Sequence, residues 1–171
     1  MHQVRQGASW SGSERNRVFL HRGVGADGTP QFADVSALSG IDFPDDARSL
    51  GVTDWDHDGD LDVWVRNRTP PRLRLMLNRH TGAGTAATDF VALRLLGTAS
   101  NRDAIGARVA LRQEEQTLIQ TVRAGGTFLS QSSKWLHFGL ASAKEIQEVS
   151  VRWPTGKVEV FRDVKAGQRF L

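Results

Sequence analysis

The sequence predicts an all-β protein, and three observations support this fold class. Apolar residues recur at every second position in short runs, as at Val149, Val151 and Trp153, which is the period of a strand with one buried face. Clusters of Gly, Pro, Asn and Asp separate these runs at the spacing of strands and turns. A helical period of 3.6 residues is hard to place anywhere, although "FADVSALSG" could hold one helical turn.

The predicted strands fall into two groups, on either side of a small, glycine-rich segment at 80–89 that is typical of a linker. Before it we predict four strands, at 17–21, 48–53, 61–66 and 72–77. After it we predict six more, at 91–96, 104–111, 116–124, 134–140, 146–153 and 157–164. The clean alternation of the second group predicts a small antiparallel β-sandwich or barrel with one core.

The predicted organisation is therefore a flexible tail at 1–14, a first β region at 15–79, the linker at 80–89 and a second β domain at 90–171. The tail has no apolar segment of the kind found in a cleaved export signal. Any such signal would have to lie outside this sequence.

Composition excludes several classes of protein. The chain has 171 residues, no cysteine and a formal net charge of +3, so disulfide scaffolds, thiolate zinc sites and cysteine nucleophiles are excluded. There is no run of about 18 apolar residues, which excludes a membrane-spanning helix. Arginines are dense between Arg66 and Arg79, but they alternate with apolar residues as on a solvated strand face, so we do not expect nucleic acid as a partner.

The segment "DWDHDGDLD" places five aspartates at alternate positions around Gly59. This spacing matches positions 1, 3, 5, 6, 7 and 9 of a calcium-binding loop, where carboxylates surround one ion and glycine permits a sharp turn. Five like charges so close together repel one another unless a cation lies among them. We therefore predict a Ca²⁺ site made by Asp54, Asp56, Asp58, Asp60 and Asp62.

Within this loop we expect carboxylate oxygens from four aspartates and the backbone carbonyl of Asp60, whose own carboxylate would point outward or accept a turn amide. Trp55 and His57 lie at even positions and should point away from the ion. The loop is not an EF-hand, because Val65 stands where the bidentate glutamate would be and strands replace the flanking helices. Magnesium suits such an all-protein site less well. The alternative is an acidic, solvated hairpin tip without a metal.

Catalytic motifs are not apparent. The sequence has no G-x-S-x-G and no H-E-x-x-H, and no paired-carboxylate motif besides the aspartate loop. His137 between Leu136 and Phe138 is interpreted as a partly buried, hydrogen-bonded residue, and the hydroxyls of "SQSS" as part of a bulged turn between strands. The stretch "NRDAIGAR" is interpreted as a turn closed by Asn101 and Asp103. The sequence therefore favours a protein that is not an enzyme.

Two sets of motifs resemble known families. The stretch "VTDWDHDGDLDVWVRN", with the residues before it, resembles an FG-GAP/VCBS repeat, the calcium-loop blade of integrin-type β-propellers. The motifs "NRDAIGARV", "AGGTFLSQSS", "LHFGL" and "VSVRWPTGKVEVF" occur in the order of an ASPIC/UnbV domain, which the region 90–171 resembles. The resemblance implies a propeller-blade-like antiparallel sheet at 15–79. It also implies an exported protein, although one family namesake is encoded in enediyne biosynthetic clusters.

Our leading hypothesis is a calcium-binding, secreted, periplasmic or cell-surface module that contacts a protein or glycan and is not catalytic. The alternative is an accessory or catalytic protein of a natural-product pathway. Related chains carry several repeats, whereas one calcium loop is visible here. A lone blade exposes sheet edges, so the blade would pack on the C-terminal domain or pair with another copy as a homo-oligomer, unless the chain is a fragment of a longer protein.

Overall fold

A computed structural model describes residues 14–79, 90–140 and 145–171, and within these ranges every regular element is a β-strand. The predicted all-β fold class is therefore confirmed, and no described segment forms a helix that could cross a membrane. The predicted linker and all of the predicted tail except Glu14 lie outside the described residues. The twelve strands are β1 (Phe19–Val24), β2 (Pro30–Asp34), β3 (Ala47–Thr53), β4 (Asp62–Asn67), β5 (Leu73–Met76), β6 (Phe90–Leu93), β7 (Arg108–Gln113), β8 (Gln116–Thr121), β9 (Leu136–Gly139), β10 (Glu148–Arg152), β11 (Val158–Phe161) and β12 (Gln168–Phe170).

The described strands form four open sheets rather than a closed barrel. Strands β1 and β2 make a hairpin, and the orders of the other three sheets are β3-β4-β5, β12-β6-β9 and β11-β10-β7-β8. Most pairs with a resolved register are antiparallel, but β12 runs parallel to β6. This parallel pair departs from the antiparallel sandwich or barrel predicted for the second domain.

Two strands were not predicted. Strand β2 begins at Pro30 and is mostly exposed, so it lacks the apolar alternation that identifies a strand. Strand β12 has only three residues. The segment "FADVSALSG" contains the end of β2 and one hydrogen-bonded turn, in which the Ser39 N–H donates at 3.0 Å to the Val35 carbonyl four residues earlier, as in a single helical turn.

Strand β7 begins at Arg108 rather than at the predicted residue 104. The four residues before it form a turn, in which Ala104 and Gly106 have positive φ angles of 54° and 91°. The Asn101 side chain closes this turn, since its Oδ1 accepts the Ile105 N–H at 2.7 Å and its Nδ2 donates to the Ile105 carbonyl at 2.9 Å. The predicted closing role of Asn101 is confirmed.

The described chain divides into two compact units. The first contains 14–50 and 64–76, and the second contains 51–63, 77–79, 90–140 and 145–171. The aspartate loop therefore belongs to the second unit, with the C-terminal strands, although β3 and β4 each continue into the first.

The core of the second unit forms where the inward faces of two sheets supply apolar side chains. The predicted alternation is confirmed in β7 and β10, which pair antiparallel with Val149 opposite Leu111 and Val151 opposite Val109. All four of these side chains are at most 2% exposed. The other sheet contributes Val91, Leu93, Leu136 and Phe138 to the same cluster.

In the first unit, the nearly buried carboxylate of Asp45 organises a polar network. The Arg74 guanidinium donates to both of its oxygens, with Nη2 at 3.2 Å from Oδ1, and Asn67 Nδ2 donates to Oδ2 at 2.9 Å. The same guanidinium lies 3.9 Å above the centre of the Phe43 ring. Mainly because of the Arg74 hydrogen bond, the pKa of Asp45 lies below its ordinary value.

Leu111→Ala should remove about 3 kcal/mol from the free energy of unfolding, because Leu111 is fully buried and the lost methyl groups leave a cavity. Urea unfolding at neutral pH measures this change. Val160→Ala is the matched control: Val160 is 47% exposed, and its substitution should change stability by less than about 0.5 kcal/mol. Equal losses in the two variants would contradict the assignment of Leu111 to the core.

Asp45→Asn should destabilise the protein by about 1 kcal/mol at pH 7. A carboxyl group with a lowered folded-state pKa stabilises the fold above its unfolded pKa, near 3.8, and loses this contribution as the pH falls through the folded-state value. The stability difference between wild type and variant should thus be constant above about pH 5 and shrink below 3.8. Urea titrations from pH 7 to 2.5 measure it. A difference that persists at pH 2.5 would contradict the ionic origin.

Candidate metal centre

The aspartate loop connects β3 to β4 and is held at its end by the carboxylate of Asp62, the first residue of β4. Asp62 is fully buried. Its Oδ2 accepts the Trp55 N–H at 2.7 Å, and its Oδ1 accepts the Asn78 N–H at 2.8 Å. Each oxygen of this buried carboxylate therefore accepts a backbone N–H, and these hydrogen bonds replace those that the group loses to water on burial. These bonds fix the start of the loop and the chain after β5 to one point.

The middle of the loop turns sharply at Gly59. The N–H of Asp60 donates to Asp58 Oδ1 at 2.8 Å, forming a local side-chain turn. Gly59 has a φ of +98°, and a Cβ built there would lie 2.4 Å from the Phe90 ring. Glycine is therefore required at this position for two reasons, the positive φ angle and the close approach of Phe90 from β6.

Three carboxylates converge inside this turn. Oxygens of Asp54, Asp56 and Asp58 all lie within 4.8 Å of one another. Asp54 is 7% exposed, and neither of its carboxylate oxygens has a hydrogen-bond partner among the described residues. A buried carboxylate without donors is costly unless a cation compensates it.

An arginine approaches the cluster. The Arg169 guanidinium lies 3.6 Å from Asp54 Oδ2 and donates to Nδ1 of His57. It also lies 4.6 Å above the centre of the Trp135 ring. Arg169 thus links the loop to β12 and to the segment before β9, and supplies one positive charge against three negative ones.

Of the five predicted ligands, the structure brings Asp54, Asp56 and Asp58 together. The carboxylate of Asp62 instead accepts two backbone N–H groups, and Asp60 is 8% exposed, so burial excludes the outward orientation that was one of the two predicted for its carboxylate. Trp55 is 55% exposed. The ion itself and the role of each residue toward it stay predictions.

His137 lies behind the loop on β9 and is partly buried, as predicted. Its ring stacks on Phe90 at 5.2 Å between centroids with an interplanar angle of 3°. Burial lowers its pKa below the ordinary value, against the opposing effect of the Asp54 and Asp60 charges. Its Nδ1 is buried without a hydrogen-bond partner among the described residues, so the predicted hydrogen bond of this side chain is not made by Nδ1.

The serine hydroxyls of "SQSS" form hydrogen bonds, two of them with backbone N–H groups. Ser132 Oγ accepts the Val52 N–H at 3.2 Å, and Ser133 Oγ accepts the Trp135 N–H at 3.2 Å. An isolated bridge between Thr127 and Ser130 closes the turn before them. The segment lies between β8 and β9, directly after that turn, and all three of its serine hydroxyls have hydrogen-bond partners.

Sequence reasoning did not identify Phe90, Trp135 or Arg169 as neighbours of the loop. Each is separated from it by tens of residues, and no local pattern relates a strand residue to a distant turn. The spacing of apolar and charged residues could only have placed Phe90 inside a strand and Arg169 near the end of the chain.

Comparison with protein families gives a match to the C-terminal part of the chain. Residues 97–171 match the family model described as ASPIC and UnbV. This confirms the ASPIC/UnbV part of the resemblance, and the match does not extend to the aspartate loop. No curated protein matches the chain.

Gly59→Ala should destabilise the second unit by about 3 kcal/mol, because alanine at positive φ is strained and its Cβ would overlap the Phe90 ring. Gly156→Ala is the matched control, since Gly156 has a φ of +88° and a Cβ added to it would meet nothing within 4 Å. The control should lose only about 1 kcal/mol. Urea unfolding of both variants compares them, and equal losses would show that contact with Phe90 is unimportant.

Proposed function

We propose that this chain is a calcium-stabilised β module that contacts a protein or glycan partner and carries out no chemistry itself. The proposal rests on the environment of the Asp54 side chain. Its carboxylate is buried, lacks hydrogen-bond donors among the described residues and lies beside Asp56 and Asp58. Such a group requires a nearby cation, and the one positive charge of Arg169 does not balance three carboxylates.

A hard divalent cation bound by oxygen fits this set of residues. Asp54, Asp56 and Asp58 would supply carboxylate oxygens, and the backbone carbonyl of Asp60 would supply another. Asp62 retains acceptor capacity, because each carboxylate oxygen has about two lone-pair sites and accepts one N–H here. Ca²⁺ takes six to eight oxygens in flexible geometry, whereas Mg²⁺ retains its waters, so calcium is the better fit.

The role of the ion in this proposal is structural. Asp62 joins the loop to Asn78, just after β5, and Arg169 joins it to β12, so charge repulsion within the loop would weaken those attachments. A bound dication removes the repulsion and thereby stabilises the second unit. The FG-GAP/VCBS resemblance of the loop supports the same role, and favours a location where calcium is abundant, outside the cytoplasm.

The interaction role is supported by the ASPIC/UnbV match and by the chemistry near His137. A cavity of about 260 Å³ lies beside Asp54, His137 and Arg169, slightly below the usual range of about 300–1,000 Å³ for ligand pockets. Among the described residues that line it, Ser132 and Ser133 already accept backbone N–H groups. Neither serine is therefore arranged as a nucleophile next to a base. This favours a binding module over a catalytic protein of a biosynthetic pathway.

Calcium should raise the thermal midpoint of the protein by on the order of 10 °C, since a ligand at about 100 times its dissociation constant adds about 2.7 kcal/mol. Melts in calcium-free buffer, in about 10 mM calcium and with excess EGTA measure the shift. Calorimetric titration should give one ion per chain, with magnesium much weaker.

Two variants test whether the ion binds at the loop. Asp56→Asn should abolish most of the calcium-dependent shift, because it removes one of the proposed carboxylate ligands. The variant should still fold, because Asp56 is exposed and its substitution spares the core. Asp163→Asn is the matched control, because Asp163 is an exposed aspartate outside the loop with a φ of 65°, which asparagine also adopts. The calcium proposal would be overturned if calcium left the thermal midpoint of the wild type unchanged and Asp56→Asn melted at the same temperature as the wild type.

A further inference from the structure

The outward face of the sheet β11-β10-β7-β8 carries an ordered set of side chains. Because Val109, Leu111, Val149 and Val151 face the core, the residues that alternate with them along β7 and β10 face outward. The strand registers align these outward residues in rows across the sheet. The first row is Val158, Arg152, Arg108 and Thr121, the second is Val160, Ser150, Ala110 and Ile119, and the third contains Arg162, Glu148, Arg112 and Thr117.

The first row places two arginines side by side. Arg108 lies directly opposite Arg152 in the β7–β10 pair. Ion pairs between the described residues join neither arginine to a carboxylate, although like charges opposite one another destabilise a strand pair. Arg123 lines a shallow depression with Arg108 and Thr121 and adds a third guanidinium at this end of the sheet.

The third row is also richer in positive charge than in negative. Glu148 lies 3.8 Å from Arg112 and 3.6 Å from Arg162, so one carboxylate serves two guanidiniums. Both arginines are well exposed, with 56% and 72% of their side-chain surface accessible. The three rows contain arginine and no lysine, and the excess charge is positive at both ends.

The row between the arginines is small and apolar. Ala110 and Ser150 occupy its centre, and Val160 and Ile119 flank them with 47% and 49% of their surface exposed. Arginine is enriched and lysine depleted at protein–protein interfaces, and the centres of such interfaces are apolar, as Val160 and Ile119 make the middle row here. The rows contain no aromatic ring on which a base or a sugar could stack, which disfavours nucleic acid and glycan partners.

We infer that this face, named here the arginine face and defined by the three rows above, binds an acidic surface of a partner protein. Arg108 and Arg152 hold a partner carboxylate through forked hydrogen bonds, which also relieves their mutual repulsion. The apolar middle row contacts apolar side chains between the partner's acidic residues. This assignment rests on the interaction role proposed above and names the class of partner.

A synthetic peptide tests the inference, with pairs of glutamates flanking a central Val-Leu-Val segment, and with glutamine in place of glutamate as its control. The protein should bind the glutamate peptide in about 50 mM salt and lose affinity as salt rises. The double variant Arg108→Glu/Arg152→Glu should weaken binding by about tenfold or more. Arg66→Glu, which reverses an exposed arginine on β4, should bind like wild type.

Thermal melts show whether the double variant is folded, so that weaker peptide binding can be assigned to the loss of the two arginines. Arg108 and Arg152 are exposed, so the double variant should fold and retain the calcium-dependent shift of its melting temperature. Equal binding of the glutamine peptide, or unchanged binding by the double variant, would overturn the inference. Binding of heparin or a DNA duplex in preference to the glutamate peptide would overturn it too, while leaving the interaction role intact. Failure of the calcium melt would affect only the metal proposal.

Discussion

Burial of negative charge between β3 and β4 is the constraint on which the second unit depends. Asp54 and Asp62 stand at the two ends of one short loop, and both are buried. Asp62 is compensated by two backbone N–H groups from different parts of the chain. Asp54 has no such donors among the described residues and faces two further carboxylates. The same residue type in the same loop therefore meets two environments, backbone N–H donors around Asp62 and neighbouring carboxylates with the Arg169 guanidinium at 3.6 Å around Asp54.

The way the loop is anchored explains why it belongs with the C-terminal strands. Phe90 of β6 packs against the backbone at Gly59, and Arg169 of β12 reaches Asp54 and His57 while lying over Trp135. The loop thus contacts the two strands that form the parallel pair of the unit. An ion bound in the loop would stabilise this end of the domain directly, which is why the proposed calcium role is structural rather than chemical.

The two faces of the four-stranded sheet differ in chemical character. Its inner face packs Val109, Leu111, Val149 and Val151 into the apolar core, which requires only apolar residues of suitable volume. Its outer face has no such requirement, yet it places Arg108 opposite Arg152 at a cost to the strand pair. The proposed contact with an anionic partner surface would offset this repulsion.

The sequence by itself determined the all-β class, the inward faces of β7 and β10, and the convergence of Asp54, Asp56 and Asp58, because each follows from spacing within a few residues. It also predicted the glycine turn at Gly59. Only the tertiary structure decided that Asp62 accepts two N–H groups, that Arg169 approaches Asp54, and that β12 pairs parallel with β6. Apart from the Trp55–Asp62 hydrogen bond within the loop, these contacts join residues that are well separated in the chain, and no local period encodes them. The three-residue β12 and the exposed β2 escaped prediction for a related reason, since pairing with a neighbouring strand makes them strands, rather than any alternation of their own.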